Sequence, residues 1–327
     1  MNDWQGRLIQ ANGLDFHVVV RGSGPLVLLV HGWPELGYSW RHQVAALSEA
    51  GYTVAAPDVR GYGRSEKPEA VHDYSMINMC TDMAALVDAL GGGESAVIVG
   101  HDWGAPIAWT TAILHPDKIR AVAALSVPYT GRGEISSTRL WQQVYKDRFF
   151  YQNYFQAEGV AEAEFEADMR TALRKVFYSG SGEAIGGQVN SEAMAAKGPD
   201  SNMLDGLVDP DPFPAWLSEA ELDFYVEQFE AGGMRGPLNR YRCQNLDWEE
   251  LPQLSELKVR QPAAFIAGSL EPVLSFVPDV DMVEIMKRQW VPDLRLSRII
   301  DGAGHWIQQE RPAEVNSALL EFLQGLD

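Results

Sequence analysis

Apolar residues in the first 130 positions fall into two kinds of run. PLVLLV at 25–30, TVAAP at 53–57, SAVIVG at 95–100 and AVAALS at 121–126 are short, nearly unbroken and rich in small or β-branched side chains. Such runs predict strands with both faces covered, as in a sheet packed between helices. Between them, residues near 38–50, 75–90 and 103–115 repeat their apolar positions at helical spacing, and Gly91-Gly92-Gly93 supplies a helix stop. Residues 7–10 and 14–20, flanking Asn12-Gly13, predict an antiparallel hairpin at the sheet edge. Strand and helix in alternation are the mark of an α/β fold with a mostly parallel sheet.

The pattern breaks near residue 131. Strand-like runs give way to aromatic-rich helical segments near 139–156, 161–178 and 218–245. Residues 179–216, rich in Gly, Pro, Ser and Asp and ending in DPDPFPAW, predict one long loop. Strand signals return at 263–268 and 295–301, and an amphipathic stretch at 310–325 predicts a closing helix. Residues 1–130 and 249–327 therefore read as two parts of one core, interrupted by a helical cap at 131–248.

Composition removes several classes of function. The 327 residues, 46% of them hydrophobic, suffice for a large core. With 45 acidic against 26 basic residues, the net charge of −19 repels phosphate backbones and anionic membrane surfaces, so nucleic acid is not an expected partner. Cys80 and Cys243 are too few for a disulfide framework and lack metal-ligand spacing. The N-terminal MNDWQGRLIQ has no basic segment leading into an apolar run, and no apolar stretch reaches the roughly 20 residues that span a bilayer. An unprocessed cytoplasmic protein is the expectation.

In parallel sheets, reactive groups collect beyond the carboxyl ends of strands. After the strand at 95–100 comes Gly100-His101-Asp102-Trp103-Gly104 and then a helical run, the strand-turn-helix setting of a nucleophile elbow with Asp102 at its tip. A carboxylate there can displace at carbon and form a covalent ester. After 25–30 stands His31-Gly32-Trp33-Pro34, whose turn aims the Trp33 amide at the space reached by the Trp103 amide; together they make an oxyanion hole. After 263–268 comes Glu271, and after the last strand His305. The order nucleophile, acid, histidine suits a triad in which His305 activates water and Glu271 orients it, with Asp279 and Asp281 as rival acids. The stretch Asp58 to Ser65 supplies turn and ion-pair structure, His101 is a packed or hydrogen-bonded turn residue, and Cys80 fills a helix interior.

At these residues the chain resembles the epoxide hydrolases of the α/β-hydrolase fold, from about residue 8 to the C-terminus. His31-Gly32-Trp33-Pro34-Glu35, the elbow and Gly304-His305-Trp306 match that family's pattern, as do Phe150-Tyr151-Gln152-Asn153-Tyr154-Phe155-Gln156 and Leu238-Asn239-Arg240-Tyr241-Arg242 in the cap. The resemblance implies an eight-stranded, mostly parallel sheet flanked by helices, with an inserted helical cap. It implies that Asp102 attacks an epoxide carbon while Tyr151 and Tyr241 stabilise the leaving oxygen. It further implies a small apolar epoxide and water as partners and no metal or organic cofactor, and it leaves room for a homodimer. Trp33, Trp103, Tyr151 and Tyr241 would contact the substrate, with Tyr154 as the in-segment competitor of Tyr151. Phenols suit this role because a tyrosine near its reference pKa of about 10 keeps its proton at neutral pH. Two departures stand out: Glu271 replaces the family's usual Asp, and Arg240 and Cys243 flank the Tyr241-Arg242 pair where Trp and Asn are common.

Two other readings use the same residues. A haloalkane dehalogenase shares the Asp, His and acid but needs halide-binding N–H donors rather than phenols. A non-catalytic receptor on this fold would have no use for an intact set.

Overall fold

The computed structural model describes residues 4–326; residues 1–3 and 327, at the outer ends of the expected core ranges, lie outside the described residues. Eight strands form one sheet: β1 (Arg7–Ala11), β2 (Leu14–Arg21), β3 (Leu26–Val30), β4 (Thr53–Pro57), β5 (Ala96–His101), β6 (Ile119–Leu125), β7 (Ala263–Gly268) and β8 (Leu294–Ile300). Their order is β1-β2-β4-β3-β5-β6-β7-β8, antiparallel at β1-β2 and β2-β4 and parallel elsewhere. The hairpin is the expected one, turning at Asn12 and Gly13, both with positive φ.

Alternate residues of the central strands serve opposite layers, as the pleat requires. Val27, Leu29, Val97, Val99, Ala121 and Ala123 pack with Val44 and Leu47 of α1 (Arg41–Glu49) and with Leu319 and Phe322 of α15 (Pro312–Gln324). Leu28, Val30, Ile98, Val122 and Ala124 face α2 (Met76–Leu90) and α3 (Gly104–Leu114). α3 is almost wholly buried, which explains why its apolar residues run nearly all round.

Between β6 and β7 lie α4 (Ser137–Val144), α5 (Tyr151–Tyr154), α6 (Val160–Ala167), α7 (Met169–Ser179), α8 (Gly182–Gly186), α9 (Ser191–Ala196), α10 (Glu219–Gly232), α11 (Arg235–Arg242) and α12 (Gln244–Glu250). The expectation of one loop over 179–216 is corrected here, since α8 and α9 fall within it. Their ends are fixed by polar groups rather than by apolar periodicity: Ser181 Oγ accepts from the Ala184 amide, Glu310 Oε2 from the Gly182 amide, and Asn190 Oδ1 from the Val208 amide. The non-helical remainder is tied down by Arg174, which bonds Asp209 Oδ1 at 2.6 Å and the Pro210 carbonyl. After β7 come α13 (Met282–Ile285), a π-turn at Met286–Trp290, and α14 (Ile307–Glu310), none of them signalled by the sequence. No helix among the described residues is long and apolar enough to cross a membrane.

Candidate active site

Strand order reverses between β3 and β5, so the loops leaving these strands lie side by side at the carboxyl edge of the sheet. β5 ends at His101, α3 starts at Gly104, and Asp102 between them sits at φ 51, a left-handed conformation that costs a non-glycine residue about 1–3 kcal/mol. The close approach explains the flanking glycines: a Cβ on Gly100 would overlap the Gly104 carbonyl, and one on Gly104 the Val30 carbonyl. The carboxylate of Asp102 is met from β3, where the Trp33 amide donates to Oδ1 at 2.7 Å. Gly32 leaves the space, since a Cβ there would fall on the Asp102 side chain. The Trp103 amide opens the turn into α3 and, so placed, has no acceptor within the helix.

His305, on the loop after β8, turns Nε2 toward Asp102 Oδ2 at 3.4 Å. Its Nδ1 faces both oxygens of Glu271, at 2.9 and 3.0 Å. Asp281, a rival for that place, instead accepts from the Glu284 amide as the N-cap of α13. All three groups are nearly buried: Asp102 8%, His305 8% and Glu271 3% exposed. Burial favours a neutral imidazole, but the Glu271 and Asp102 carboxylates outweigh it and hold the His305 pKa well above the usual value. Burial also opposes ionisation of Asp102, and the hydrogen bond and charge of His305 together overcome it, leaving the carboxyl below its ordinary value.

Tyr151 on α5 and Tyr241 on α11 meet edge to face, ring centroids 5.8 Å apart. Burial, followed by the nearby Asp102 charge, pushes both phenols upward, so both keep their protons across the physiological range. The Tyr151 oxygen receives the Gln152 side-chain N–H at 3.0 Å, and that of Tyr241 a hydrogen bond from the Trp103 side chain. The Trp33 ring lies behind them against Phe155, Phe165 and Tyr241. Tyr154 is turned elsewhere: its hydroxyl donates to Glu164 Oε2 of α6 at 2.9 Å.

A second polar layer lies beneath. His101 places Nε2 at 2.7 Å from the His305 carbonyl and Nδ1 at 2.7 Å from Glu35 Oε2, and Gln308 Nε2 donates to Glu35 Oε1 at 2.8 Å. Glu35 also accepts from the Gly32 amide at 3.1 Å. This buried carboxylate therefore ties the β3 turn, the elbow and the His305 loop together, a role the HGWPE match did not disclose. Glu310 is a further fastener: its carboxylate takes the amides of Gly182, Gly304 and Trp306 at 2.8, 3.2 and 3.0 Å, while the His305 amide donates to Gly180 of the cap. Arg240, 1% exposed, bonds the Tyr74 carbonyl and Asp247, and its guanidinium stacks over the Trp103 ring at 4.7 Å. Asp58 pairs with His17 at 3.0 Å and Arg60 with Asp82 at 2.7 Å, the structural part expected of that stretch.

Above Asp102 opens a cavity of about 400 Å³, bordered by Trp103, Tyr151, Leu140, Trp141, Val273 and Phe276 among others. Its wall is mostly apolar and aromatic, with Gln152, Gln244, Arg132 and Asp247 among its polar groups.

Comparison with known proteins agrees with this geometry. The family model for the alpha/beta hydrolase fold matches residues 25–312. Epoxide hydrolase A of Mycobacterium tuberculosis is 44% identical over 323 residues, covering 98% of both chains. Among solved structures, an epoxide hydrolase from an endophytic Streptomyces superposes with a TM-score of 0.91 at 45% identity, covering 98% of this chain and 95% of that one. Epoxide hydrolase A from Mycobacterium thermoresistibile gives 0.90 at 40% identity, covering 99% of each. With an Asp elbow, a buried His–Glu pair and two cap phenols on that fold, the chain belongs to the epoxide hydrolases of the α/β-hydrolase family.

Proposed function

We propose that this protein hydrolyses small apolar epoxides to vicinal diols through an ester on Asp102. The observation that carries the reading is the pairing of a buried, ionised Asp102 with two protonated phenols, a nucleophile with donors for the oxygen it displaces. Asp102 Oδ1 is held by the Trp33 amide, so Oδ2, which faces His305 Nε2 at 3.4 Å, is the attacking oxygen. As its electron pair forms the new C–O bond, the epoxide C–O bond breaks, and the alkoxide takes hydrogen bonds from Tyr151 and Tyr241 and then a proton from one of these phenols, which recovers it from the His305 imidazolium by way of solvent, leaving His305 neutral. In the second step His305 removes a proton from water, and the resulting hydroxide adds to the ester carbon. Charge develops on Oδ1, where the Trp33 and Trp103 amides receive it; one such donor is typically worth about 3 kcal/mol. Collapse expels the diol oxygen, which takes that proton from His305, and the carboxylic acid left on Asp102 returns its own proton to His305, while Glu271 steadies the imidazolium. Water and the epoxide are the only reactants required.

Residues 131–248 act as the cap that brings both phenols over Asp102, with 1–130 and 249–327 as the core. The free, buried Cys80 and Cys243 fit a reducing cytoplasm, and the family resemblance leaves room for a homodimer.

The test is turnover of a panel of epoxides and haloalkanes by the wild type and by Asp102→Asn. Diol from epoxides, lost in the variant, is expected; halide release without diol, or binding without turnover, would overturn the proposal. In a single turnover in oxygen-18 water the label should enter the Asp102 carboxylate. Label in the diol alone on that first cycle would mean direct attack by water.

A further inference from the structure

Tyr151 stands at the end of a chain of side-chain hydrogen bonds that crosses three cap helices. Thr138 Oγ1 on α4 donates to Gln244 Oε1 on α12 at 3.4 Å. Gln244 Nε2 donates to Gln152 Oε1 on α5 at 2.7 Å, and Gln152 Nε2 donates to the Tyr151 oxygen at 3.0 Å. Every bond points the same way, and the sequence ends on a phenol oxygen that also takes a side-chain hydrogen bond from Tyr241, so that its acceptor capacity is occupied. Its own O–H is then left for whatever oxygen lies over Asp102. Thr138 and Gln244 are 4% and 6% exposed, while Gln152 is half-buried and, with Gln244, borders the cavity above Asp102.

We propose that Gln152 and Gln244 are positioning residues that fix the polarity of Tyr151, making it a donor to the epoxide oxygen rather than an acceptor. The inference rests on the role given above to Tyr151. A side-chain amide has a donor end and an acceptor end, so turning one amide over turns the next. Glutamate at 244 has no N–H to give. The Gln152 amide would rotate to donate to it, presenting its carbonyl to Tyr151, which would then spend its proton on Gln152. A change two side chains away from the phenol, on another helix, thus removes the donor without removing the tyrosine.

The measurement separates the two chemical steps in single-turnover reactions with styrene oxide, for the wild type, Q244E, Y151F and the double variant. Q244E should slow ester formation by roughly tenfold or more and leave ester hydrolysis within about twofold. In the Y151F background, Q244E should slow ester formation no further, because the two act through one proton. If Y151F slows epoxide opening and Q244E does not, or if their effects multiply, the relay is wrong. If Y151F itself leaves opening unchanged, the role of Tyr151 falls first. Should the thermal midpoint of Q244E show that the buried charge unfolds the cap, Q152M removes the donated bond without a charge. It should slow opening with hydrolysis unchanged, and an unchanged opening rate would equally sink the relay.

Discussion

Asp102→Asn removes one negative charge 3.4 Å from His305 Nε2 while conserving the shape of the side chain. At an effective dielectric of about 20, unit charges at that separation attract by about 5 kcal/mol. The imidazolium loses that attraction and keeps only Glu271, whereas burial continues to favour the neutral ring. The His305 pKa must therefore fall in the variant. The sign for stability follows: in the wild type the raised pKa stabilises the fold fully below the unfolded imidazole value, and this is lost as pH rises through the folded value. In Asp102→Asn the loss should come at lower pH. The assay is an NMR titration with nitrogen-15-labelled histidine, following the His305 ring nitrogens in the wild type, Asp102→Asn and Glu271→Gln. A His305 that titrates in Asp102→Asn at or above its wild-type pH would refute the reasoning. The same arithmetic bears on turnover, because forming the ester neutralises Asp102 just as the substitution does. His305 is thus a charged partner while Asp102 is free and is pushed toward the neutral base when water must be activated.

Three more outcomes are expected. Glu271→Gln should slow ester hydrolysis by roughly 10³–10⁴-fold with opening far less affected, so that the intact mass of the protein after mixing with styrene oxide shows the adduct accumulating. Gly32→Ala drives a methyl onto the Asp102 side chain and should cost about 1–3 kcal/mol in denaturant unfolding along with most of the activity. Arg240→Leu leaves Asp247, whose side chain is only 15% exposed, without its partner, and should destabilise the protein by about 3–5 kcal/mol in the same assay.

Strand positions were legible because every strand of the sheet is a short run with its own burial pattern, and β5 and β7 are buried at every position. α8 and α9 were not, because a helix of five or six residues has too few turns for a period and these are held by bonds from Gly182 to Glu310 and from Val208 to Asn190, 128 and 18 residues apart. Asp102, Glu271 and His305 were readable because each follows a strand that could be found. Tyr154 shows the limit of that reasoning: three residues from Tyr151, its orientation depends on Glu164 of a neighbouring helix. The pairs Gln152–Gln244, Glu35–His101 and Glu35–Gln308 are 92, 66 and 273 residues apart, where no local spacing can reveal them.

The Glu310 fastener has a consequence for exchanging parts between relatives. The same carboxylate holds Gly182 of the cap and Gly304 of the core, and the amide of His305 itself is seated on Gly180. A graft that replaces the whole cap to change which molecules are accepted would also replace the bed on which the histidine rests. Chimeras that leave residues 180–182 native keep that bed, and those that replace them inherit a stranger's. Substrate range should therefore be transferable through α4, α5 and α12 with turnover intact, whereas a graft crossing residues 180–182 should trade selectivity against rate.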